Sequence, residues 1–278
     1  MNSKICIYAS EIAALIGQNR FVTTDEAFQK VLSRISANPK KVITKMKTSD
    51  DPRLRKTAVA IQENAAKEVE CREIVEELST HVDVVESLPQ TASRVEICKA
   101  RDLAIESLPT PTCERETRAL KVVTGKIHCV AGQRTEAVVV AEKKIENNQK
   151  AYFKDVAFKN RGIRYEYVIF GRTDGVNGDT LVEIKNRKQL WRKAFDQERT
   201  QINTYLFLTD LTKCRFIETC SASTYEEVIS FDTNKLKDDI HKLNRVIYKL
   251  HKVLLCGRTR GGDGEKEELF FLARVNLI

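Results

Sequence analysis

Several features that would place a chain in a well-marked class are missing from this sequence. It has no apolar run long enough to span a membrane and no N-terminal signal peptide. Its eight cysteines include no C-x-x-C pair, and its four histidines form no ligand cluster. These absences argue against a membrane protein and against an iron–sulfur centre, and they predict reduced thiols in an intracellular protein.

Internal repeats and low-complexity tracts are also missing. The glycine-rich stretch from Gly257 to Glu268 lacks the G-x-x-x-x-G-K-[ST] order of a phosphate-binding loop. Of the 278 residues, 42% are hydrophobic, which is enough for a sizeable core. The chain has 47 Lys and Arg against 39 Asp and Glu, a formal net charge of +8, and this balance suits a polyanionic partner such as DNA.

The stretch YEYVIFGRTDGVNGDTLVEIKNRK, Tyr165 to Lys188, predicts a β-hairpin. Aromatic and β-branched residues favour strands on both sides of Asn177-Gly178, a dipeptide typical of tight turns. If those two residues are the centre of the turn, the cross-strand pairs are Val176 with Asp179, Asp174 with Leu181, and Arg172 with Glu183.

The alternation of side chains along these strands predicts that Asp174, Glu183 and Lys185 share one face of the hairpin. Two carboxylates repel each other unless a hard divalent cation lies between them. A neighbouring lysine would then orient a metal-bound water or neutralise charge on a phosphodiester. The alternative is a solvated hairpin face with a cross-strand salt bridge.

Helical patterns lie before and after the hairpin. Ser10 is a candidate N-cap for Glu11 to Gly17. Residues 25–126 predict several helices, for example Asp25 to Ile35, Leu54 to Leu78 and Arg94 to Ile105, with breaks near Asn38-Pro39, Asp51-Pro52, Leu88-Pro89 and Pro109-Thr110-Pro111. Further helices are predicted for Gly132 to Asn148, which contains Glu136, for Gln189 to Leu208, in which Gln201 and Tyr205 share a face, and for Asp238 to Leu255. Arg215 to Glu218 and Val228 to Phe231 predict strands.

Four of these segments, in order, resemble the PD-(D/E)XK nuclease superfamily and its lambda-exonuclease and YqaJ-like viral recombinase family. TDGV followed by LVEIKNR matches the signature of that family, with Thr173 in place of the usual proline. The other matching segments are YASEIAALIGQNRF at the N-terminus, Gly132 to Glu136, and the Q-x-x-x-Y of Gln201 and Tyr205. The resemblance implies a restriction-endonuclease-like α/β core, a mixed central sheet flanked by helices, with a helical insertion.

The resemblance also implies roles for individual residues. The metal ligands would be Glu136, Asp174, Glu183 and the backbone carbonyl of Ile184, with Mg²⁺ as cofactor and Mn²⁺ as a substitute. The catalytic residues would be Lys185, Glu183, Asp174 and Gln201, and the substrate-binding residues would be Ser10, Arg172, Gln201 and Tyr205. Family members use an arginine shortly before the serine, where this chain offers Lys4.

The activity implied by the resemblance is 5′-to-3′ exonuclease digestion of linear duplex DNA in viral or phage recombination and genome processing. It further implies a homo-trimer and a single-strand-annealing protein as partner. The missing apolar run and signal peptide predict no membrane association and an intracellular location, in the cytoplasm or the nucleus of a host. Residues 1–24 and 127–278 would form the nuclease core around an insertion at 25–126. A RecB-like single-strand or flap nuclease and a catalytically degenerate DNA-binding module remain alternatives.

Overall fold

Helices and two small sheets make up the chain in a computed structural model that describes residues 5–36, 38–146 and 149–257. The strands are β1 (Ile5–Tyr8), β2 (Ala151–Asn160), β3 (Ile163–Arg172), β4 (Gly175–Asn177), β5 (Thr180–Asn186), β6 (Lys213–Cys220) and β7 (Ser223–Ser230). The helices are α1 (Ala9–Leu15), α2 (Thr24–Ile35), α3 (Pro39–Lys47), α4 (Pro52–Glu77), α5 (Thr80–Glu86), α6 (Arg94–Glu106), α7 (Glu114–Glu142), α8 (Asp196–Thr209) and α9 (Thr233–Gly257).

The strands form one sheet of order β1-β3-β2 and a second of order β4-β5-β6-β7. β1 runs parallel to β3 and β5 parallel to β6, while the other pairs are antiparallel. The chain passes from the first sheet to the second through Thr173 and Asp174, between β3 and β4. The predicted α/β class with mixed sheets and flanking helices is therefore confirmed.

The predicted pairing of the hairpin is wrong. Its central turn residues are Gly178 and Asp179, so that Asn177 pairs with Thr180 and Val176 with Leu181. Gly178 takes the left-handed conformation, with φ +57°, which glycine adopts without strain. Asn177 instead stays in β4, where its side chain accepts a hydrogen bond from the Glu146 backbone N–H at 2.8 Å.

The predicted first arm is also interrupted, because it belongs to two sheets. β3 pairs with β2, where Arg172 lies opposite Ala151 rather than Glu183. Asp174 lies between the strands and pairs with no residue of β5 across a ladder. Asp174 therefore lies in the connection between β3 and β4 and not on the flat face of a hairpin.

The first helix begins at Ala9, so the prediction of Ser10 as its N-cap is wrong. The carboxylate of Glu11 accepts the backbone N–H of Tyr8 at 3.1 Å and thereby caps the helix start. The predicted stop at Gly17 is confirmed, since this residue follows the helix with φ +76°.

Two other predicted helices have different limits. The helix of Glu136 is part of the much longer α7, which spans the predicted boundary between residues 126 and 127. Residues 189–195 are not helical, because carboxylates bind their backbone: Glu218 accepts from the N–H groups of Trp191 and Arg192, and Glu198 from that of Phe195.

Apolar side chains of the described residues form one main core and two separate clusters, of which the smaller contains Val139, Ile145, Val182, Ile184 and Ile217. The main core joins both sheets to α1, α2, α3, the start of α4, α8 and α9. α5, α6 and α7 enclose the second cluster around Val85, Ile97 and Ile127. Helices from residues 25–126 thus contribute to the main core and to the second cluster, and the assignment of that range to an insertion stays a prediction. No helix in residues 5–36, 38–146 or 149–257 is long and apolar enough to cross a membrane.

Candidate active site

The acidic residues predicted for the site come together at an unpaired edge of β5. β4 pairs with β5 only as far as Val182, so the following residues have no strand partner on that side. Asp174 takes this place, and one of its carboxylate oxygens accepts the Ile184 backbone N–H at 2.7 Å. The break between β3 and β4 therefore anchors Asp174 directly on the strand that carries Glu183 and Lys185.

The backbone carbonyl of Ile184 faces the same edge. In an extended strand the N–H and C=O of one residue point to the same side. Because the N–H of Ile184 reaches Asp174, its carbonyl oxygen also points toward the Asp174 side. A carboxylate and a carbonyl oxygen are thus directed to one place, and both are ligands that Mg²⁺ accepts.

Glu183 is fully buried, with 0% of its surface exposed. One carboxylate oxygen forms an ion pair with the Lys185 ammonium, whereas the other is buried without a hydrogen-bond partner among the described residues. Burial, and then the charge of Asp174, raise the pKa of Glu183 to about 8. A buried oxygen without a hydrogen-bond partner destabilises the folded protein by about 1–3 kcal/mol. A ligand that binds this oxygen would remove that cost.

Glu136 on α7 interacts with the same cluster. Burial, followed by the charge of Asp174, raises its pKa to about 7. Its Oε1 accepts a hydrogen bond from the Gln149 side chain at 2.8 Å. Burial likewise raises the pKa of Asp174, although Lys185 and the Ile184 N–H oppose this shift. Three carboxyl groups therefore share a region in which ionisation is costly.

Lys185 is the one cation within this group of carboxylates. Burial by itself would lower its pKa, but Glu183 and Asp174 together raise it above its usual value. The side chain therefore stays an ammonium ion at neutral pH, and 27% of it remains exposed. An amine that is charged and partly exposed can meet an incoming anion without first binding a proton.

Gln201 and Tyr205 lie one turn apart on α8, as predicted, and the Gln201 side chain donates to the Tyr205 hydroxyl at 3.0 Å. Burial, then the charge of Glu183, raise the pKa of Tyr205 above its normal range. Gly171 makes room for this ring, since a Cβ at that position would lie 2.6 Å from Tyr205 Cε1. The tyrosine is thus a neutral hydroxyl held beside the acidic cluster.

The positions of the carboxylates determine whether a metal ion can bind here. Within the described ranges, no three His, Cys, Asp or Glu side chains are close enough to enclose an ion. Asp174, the unpartnered oxygen of Glu183 and the Ile184 carbonyl nevertheless offer hard oxygen donors at one edge. Mg²⁺ usually keeps several waters and takes only one or two carboxylates, so this donor set fits it.

Two other predicted residues are not joined to the cluster by polar contacts. Ser10 and Arg172 are exposed, and within the described ranges neither forms a hydrogen bond or an ion pair with the acidic residues. Lys4 lies outside the described residues, as does most of the loop from Gly257 to Glu268. The roles of Ser10 and Arg172 in substrate binding therefore stay predictions.

Arg187 is largely buried and binds two carboxylates. It donates to both carboxylate oxygens of Glu198 at 2.7 Å and pairs with Glu218, and only 13% of its side chain is exposed. Because Glu198 and Glu218 also bind backbone N–H groups of the 189–195 segment, this network fixes the loop that leads from β5 to α8. Trp191 projects from that loop with 49% of its surface exposed.

Sequence reasoning missed several residues that shape the site. The Gln149 side chain donates a hydrogen bond to Glu136, 13 positions earlier in the sequence, and its backbone has a positive φ of 59°. Cys214 is buried beside the cluster, and burial, then Glu183, raise the pKa of its thiol. No motif marks these two residues. The close approach of Gly171 to Tyr205 is also a tertiary contact that a lone glycine in a strand does not identify.

The fold and the site define a mixed α/β protein with a buried acidic cluster and one lysine. No family model matches the chain, and no curated protein matches it. Solved structures similar to it include SSO0001 (TM-score 0.37, 16% identity, 64% of this chain and 85% of that one). They also include the alkaline exonuclease LHK-Exo from Laribacter hongkongensis (TM-score 0.33, 14% identity, 51% of this chain and 83% of that one) and LHK-Exo in complex with dAMP (0.33, 14%, 63% and 87%). With identities and TM-scores this low, the function has to be derived from the site.

Proposed function

We propose that this chain is a metal-dependent deoxyribonuclease that hydrolyses phosphodiester bonds. The observation that carries the proposal is the buried Glu183 carboxylate, which has one oxygen paired with Lys185 and the other without a partner among the described residues, beside Asp174. A stability role does not account for this arrangement, because burying ionisable groups without full pairing is unfavourable. Ionisable groups whose burial is energetically unfavourable are typical of functional sites.

Asp174, Glu183 and the Ile184 carbonyl would hold Mg²⁺, or Mn²⁺ in its place, and Glu136 would complete the site. When bound, the ion would supply positive charge for the phosphate oxygens and would lower the pKa of a water molecule. Binding would require the raised pKa values of Glu183 and Glu136 to fall, since a carboxylate binds a metal in its ionised form.

The organic groups of the site have separate tasks. Lys185 remains charged, so its ammonium can orient the attacking water and stabilise negative charge on the phosphate as the bond breaks. Gln201 has its amide nitrogen bound to Tyr205, which fixes the plane of the side chain. Its amide oxygen can then accept a hydrogen bond from a water or from the substrate.

The finer description rests on the motif resemblance. It consists of an exonuclease of 5′-to-3′ polarity on linear duplex DNA, acting in viral recombination, as a trimer, with a single-strand-annealing partner. Within this description, Ser10 and Arg172 would contact the substrate near its end. The structure describes a single chain, so the assembly and the partner are part of the proposal.

A digestion experiment tests the activity and its mode together. Linear duplex DNA with 5′-phosphate ends, the same DNA with 5′-hydroxyl ends, and a covalently closed circle are incubated with the protein and Mg²⁺. Loss of the linear forms alone supports an exonuclease, and faster loss of the phosphorylated form supports 5′ recognition. Cleavage of the circle contradicts the exonuclease assignment.

A matched pair of variants links the activity to the site. Asp174→Asn should lower the rate by about 100-fold or more, because it removes a charge from the ion-binding edge. Asp179→Asn changes the exposed carboxylate at the tip of the same hairpin and should act like wild type. Equal rates for the two variants would contradict the proposed site.

A second candidate is a DNA-binding module without catalysis. The observation in its favour is that the described carboxylates do not enclose a metal ion by themselves. This candidate predicts DNA binding with no cleavage by wild-type protein in Mg²⁺ or Mn²⁺. The digestion experiment therefore separates the two.

A further inference from the structure

A second concave site lies far from the acidic cluster, at the opposite end of β3. It is a cavity of about 620 Å³ between α9, the first turn of α4 and the hairpin that joins β2 to β3. Its walls include Arg53, Phe158, Lys159, Arg245, Lys249 and Lys252. Sites for small molecules measure about 300–1,000 Å³, so a nucleotide fits into this space.

The charge of the cavity is strongly positive. Arg53, Lys159 and Lys249 are exposed, and none forms an ion pair with another described residue. Asp51 is the one acidic residue among those that line the space, and one of its carboxylate oxygens accepts the Arg53 backbone N–H at 2.9 Å. From Ile240 to Gly257 the sequence of α9 contains no Asp or Glu.

The dipole of α9 accounts for the positions of only some of these cations. Lysines near the C-terminal end of α9 are favourable for that reason alone. Lys159, however, belongs to a β-hairpin and Arg53 to the start of another helix. Cations from three separate elements thus converge on one space that contains a single counter-charge, Asp51, and such an excess of positive charge attracts an anion.

Aromatic side chains form the floor beneath these cations. The Phe158 ring stacks on Tyr165 with centroids 5.3 Å apart, and Tyr165 meets Tyr248 edge-on at 5.6 Å. Lys252 lies over the Tyr248 ring at 5.1 Å. Phe158 and Tyr248 line the cavity and are only half-buried. Aromatic rings below a positively charged rim are typical of sites that bind single-stranded nucleic acid.

We propose that this cavity is a second nucleic-acid site, which holds a single-stranded segment with a base against Phe158 or Tyr248 and phosphates on the lysines. The bases of a duplex are stacked inside it, so a duplex could reach only the rim. From Tyr165 to Asp174 the chain runs along β3 for about 30 Å, at roughly 3.3 Å per residue. The two sites are therefore distinct, and binding at the cavity does not depend on the proposed nuclease activity.

Binding is measured by fluorescence anisotropy in EDTA, so that no cleavage takes place. The probes are a labelled single-stranded oligonucleotide and a blunt duplex that contains it. The test variant is Lys249→Glu with Lys252→Glu. The control is Lys121→Glu with Lys126→Glu, which makes the same charge change on exposed residues of α7 outside the cavity. Thermal unfolding of each variant checks that it is folded.

The test variant should bind the single strand at least 10-fold more weakly than the control does. A plot of log affinity against log salt concentration should have a slope that is shallower by about 1.4 in the test variant. Each phosphate contact on a single strand contributes about 0.7 to that slope, and two contacts are lost. Phe158→Ala should weaken single-strand binding by about 5- to 100-fold through lost stacking, with little effect on the duplex.

Three results would overturn the inference. They are equal single-strand affinity of the test variant and wild type, equal weakening by the control variant, and equal weakening of single-strand and duplex binding. If wild-type protein cleaves no DNA with any metal but the cavity variants still lose single-strand binding, the proposed nuclease function fails while this inference stands.

Discussion

The two ends of β3 carry opposite charges in opposite environments. At its C-terminal end, Glu183 pairs with the Lys185 ammonium, Glu136 and Asp174 interact electrostatically with that pair, and burial raises the pKa values of all three carboxyl groups. At its N-terminal end, exposed Arg and Lys side chains line an open cavity without ion pairs among the described residues. Charge that is desolvated is suited to reacting with a bound ion or phosphate, whereas charge in water is suited to attracting a polyanion.

The energetic consequences differ accordingly. Desolvating an ion in a protein costs several kcal/mol, and an incomplete network leaves part of that cost unrecovered. Exposed cations cost little, and salt screens their mutual repulsion over about 10 Å at 0.1 M ionic strength. The acidic end should therefore respond to small substitutions and to pH, and the basic end mainly to salt.

The largest effect is expected from Lys185. Lys185→Gln should lower the rate of DNA cleavage by about 10²–10⁴-fold, because it removes the one cation beside the reacting phosphate. Lys213→Ala serves as the control, since Lys213 pairs with the exposed Asp179 at 3.1 Å on the same sheet. Initial rates on linear duplex DNA measure both. A loss of less than 10-fold for Lys185→Gln would assign that residue a structural role.

The next effect concerns metal binding and pH. Glu136 and Glu183 have raised pKa values of about 7 and about 8, so both are largely protonated at pH 6 and must lose protons to bind an ion. Mn²⁺ affinity should therefore rise from pH 6 to about 8, by up to about 10-fold per pH unit for each proton released, and should level off above the pKa of Glu183. Calorimetric titrations at four pH values measure this rise. An affinity independent of pH would contradict the assigned ligands.

The same shifts give the sign for the stability of the metal-free protein. A carboxyl group whose pKa is higher in the folded state than in the unfolded chain binds its proton more tightly when folded. The resulting stabilisation is complete below the unfolded pKa and is lost as pH rises through the folded one. For Glu183 the window runs from its ordinary value of 4.5 to about 8. Urea unfolding without metal should show this decline, and saturating Mn²⁺ should reverse it at the alkaline end.

A smaller effect is expected where Tyr205 packs against β3. Gly171→Ala places a Cβ 2.6 Å from Tyr205 Cε1 and 2.9 Å from Leu208 Cδ1, which should destabilise the fold by about 1–3 kcal/mol. Gly132→Ala is the matched control, since it meets nothing within 4 Å on α7 and should stabilise by up to about 1 kcal/mol. Urea denaturation compares them. Equal stability of the two variants would show that the contact at Gly171 relaxes freely.

The smallest effect on stability is expected from Trp191. The loop that carries it is fastened by Glu218, Glu198 and Arg187, and the indole ring is half exposed. Trp191→Ala should therefore change the free energy of unfolding by less than about 0.5 kcal/mol.

The comparison variant is Glu218→Gln, which removes a buried charge that pairs with Arg187 and should destabilise the fold by about 3–5 kcal/mol. The reverse order would mean that Trp191 holds the loop.

Local sequence signals predicted much of the fold. The helices at Asp25 to Ile35 and Arg94 to Ile105, and the breaks before Pro39 and Pro52, agree with α2, α6, α3 and α4 to within a few residues. Caps and prolines act locally, so a single sequence contains them. The register of the hairpin was missed because Asn177 is held by the Glu146 backbone, a contact from 31 positions away.

The sequence motifs grouped side chains that the structure places close together, whereas the metal-binding and catalytic roles of these residues stay predictions. The structure brings together Glu136, Asp174, Glu183, Lys185, Gln201 and Tyr205, a grouping that followed from motif order. The attachment of Asp174 to the Ile184 N–H depends on the end of the β4–β5 ladder, and the bond of Gln149 to Glu136 depends on a turn with positive φ. Neither can be deduced from residue spacing. The basic cavity was missed because its cations come from three distant segments.

The central claim is that the acidic end of β3 binds a divalent metal ion through Glu183. Isothermal titration of Mn²⁺ into wild-type protein and into Glu183→Gln at pH 8, without DNA, tests this claim most directly. The account predicts saturable binding by wild type and an affinity at least about 10-fold lower in the variant, which keeps the size of the side chain but loses its charge. Equal affinities, or no binding by wild type, would contradict it.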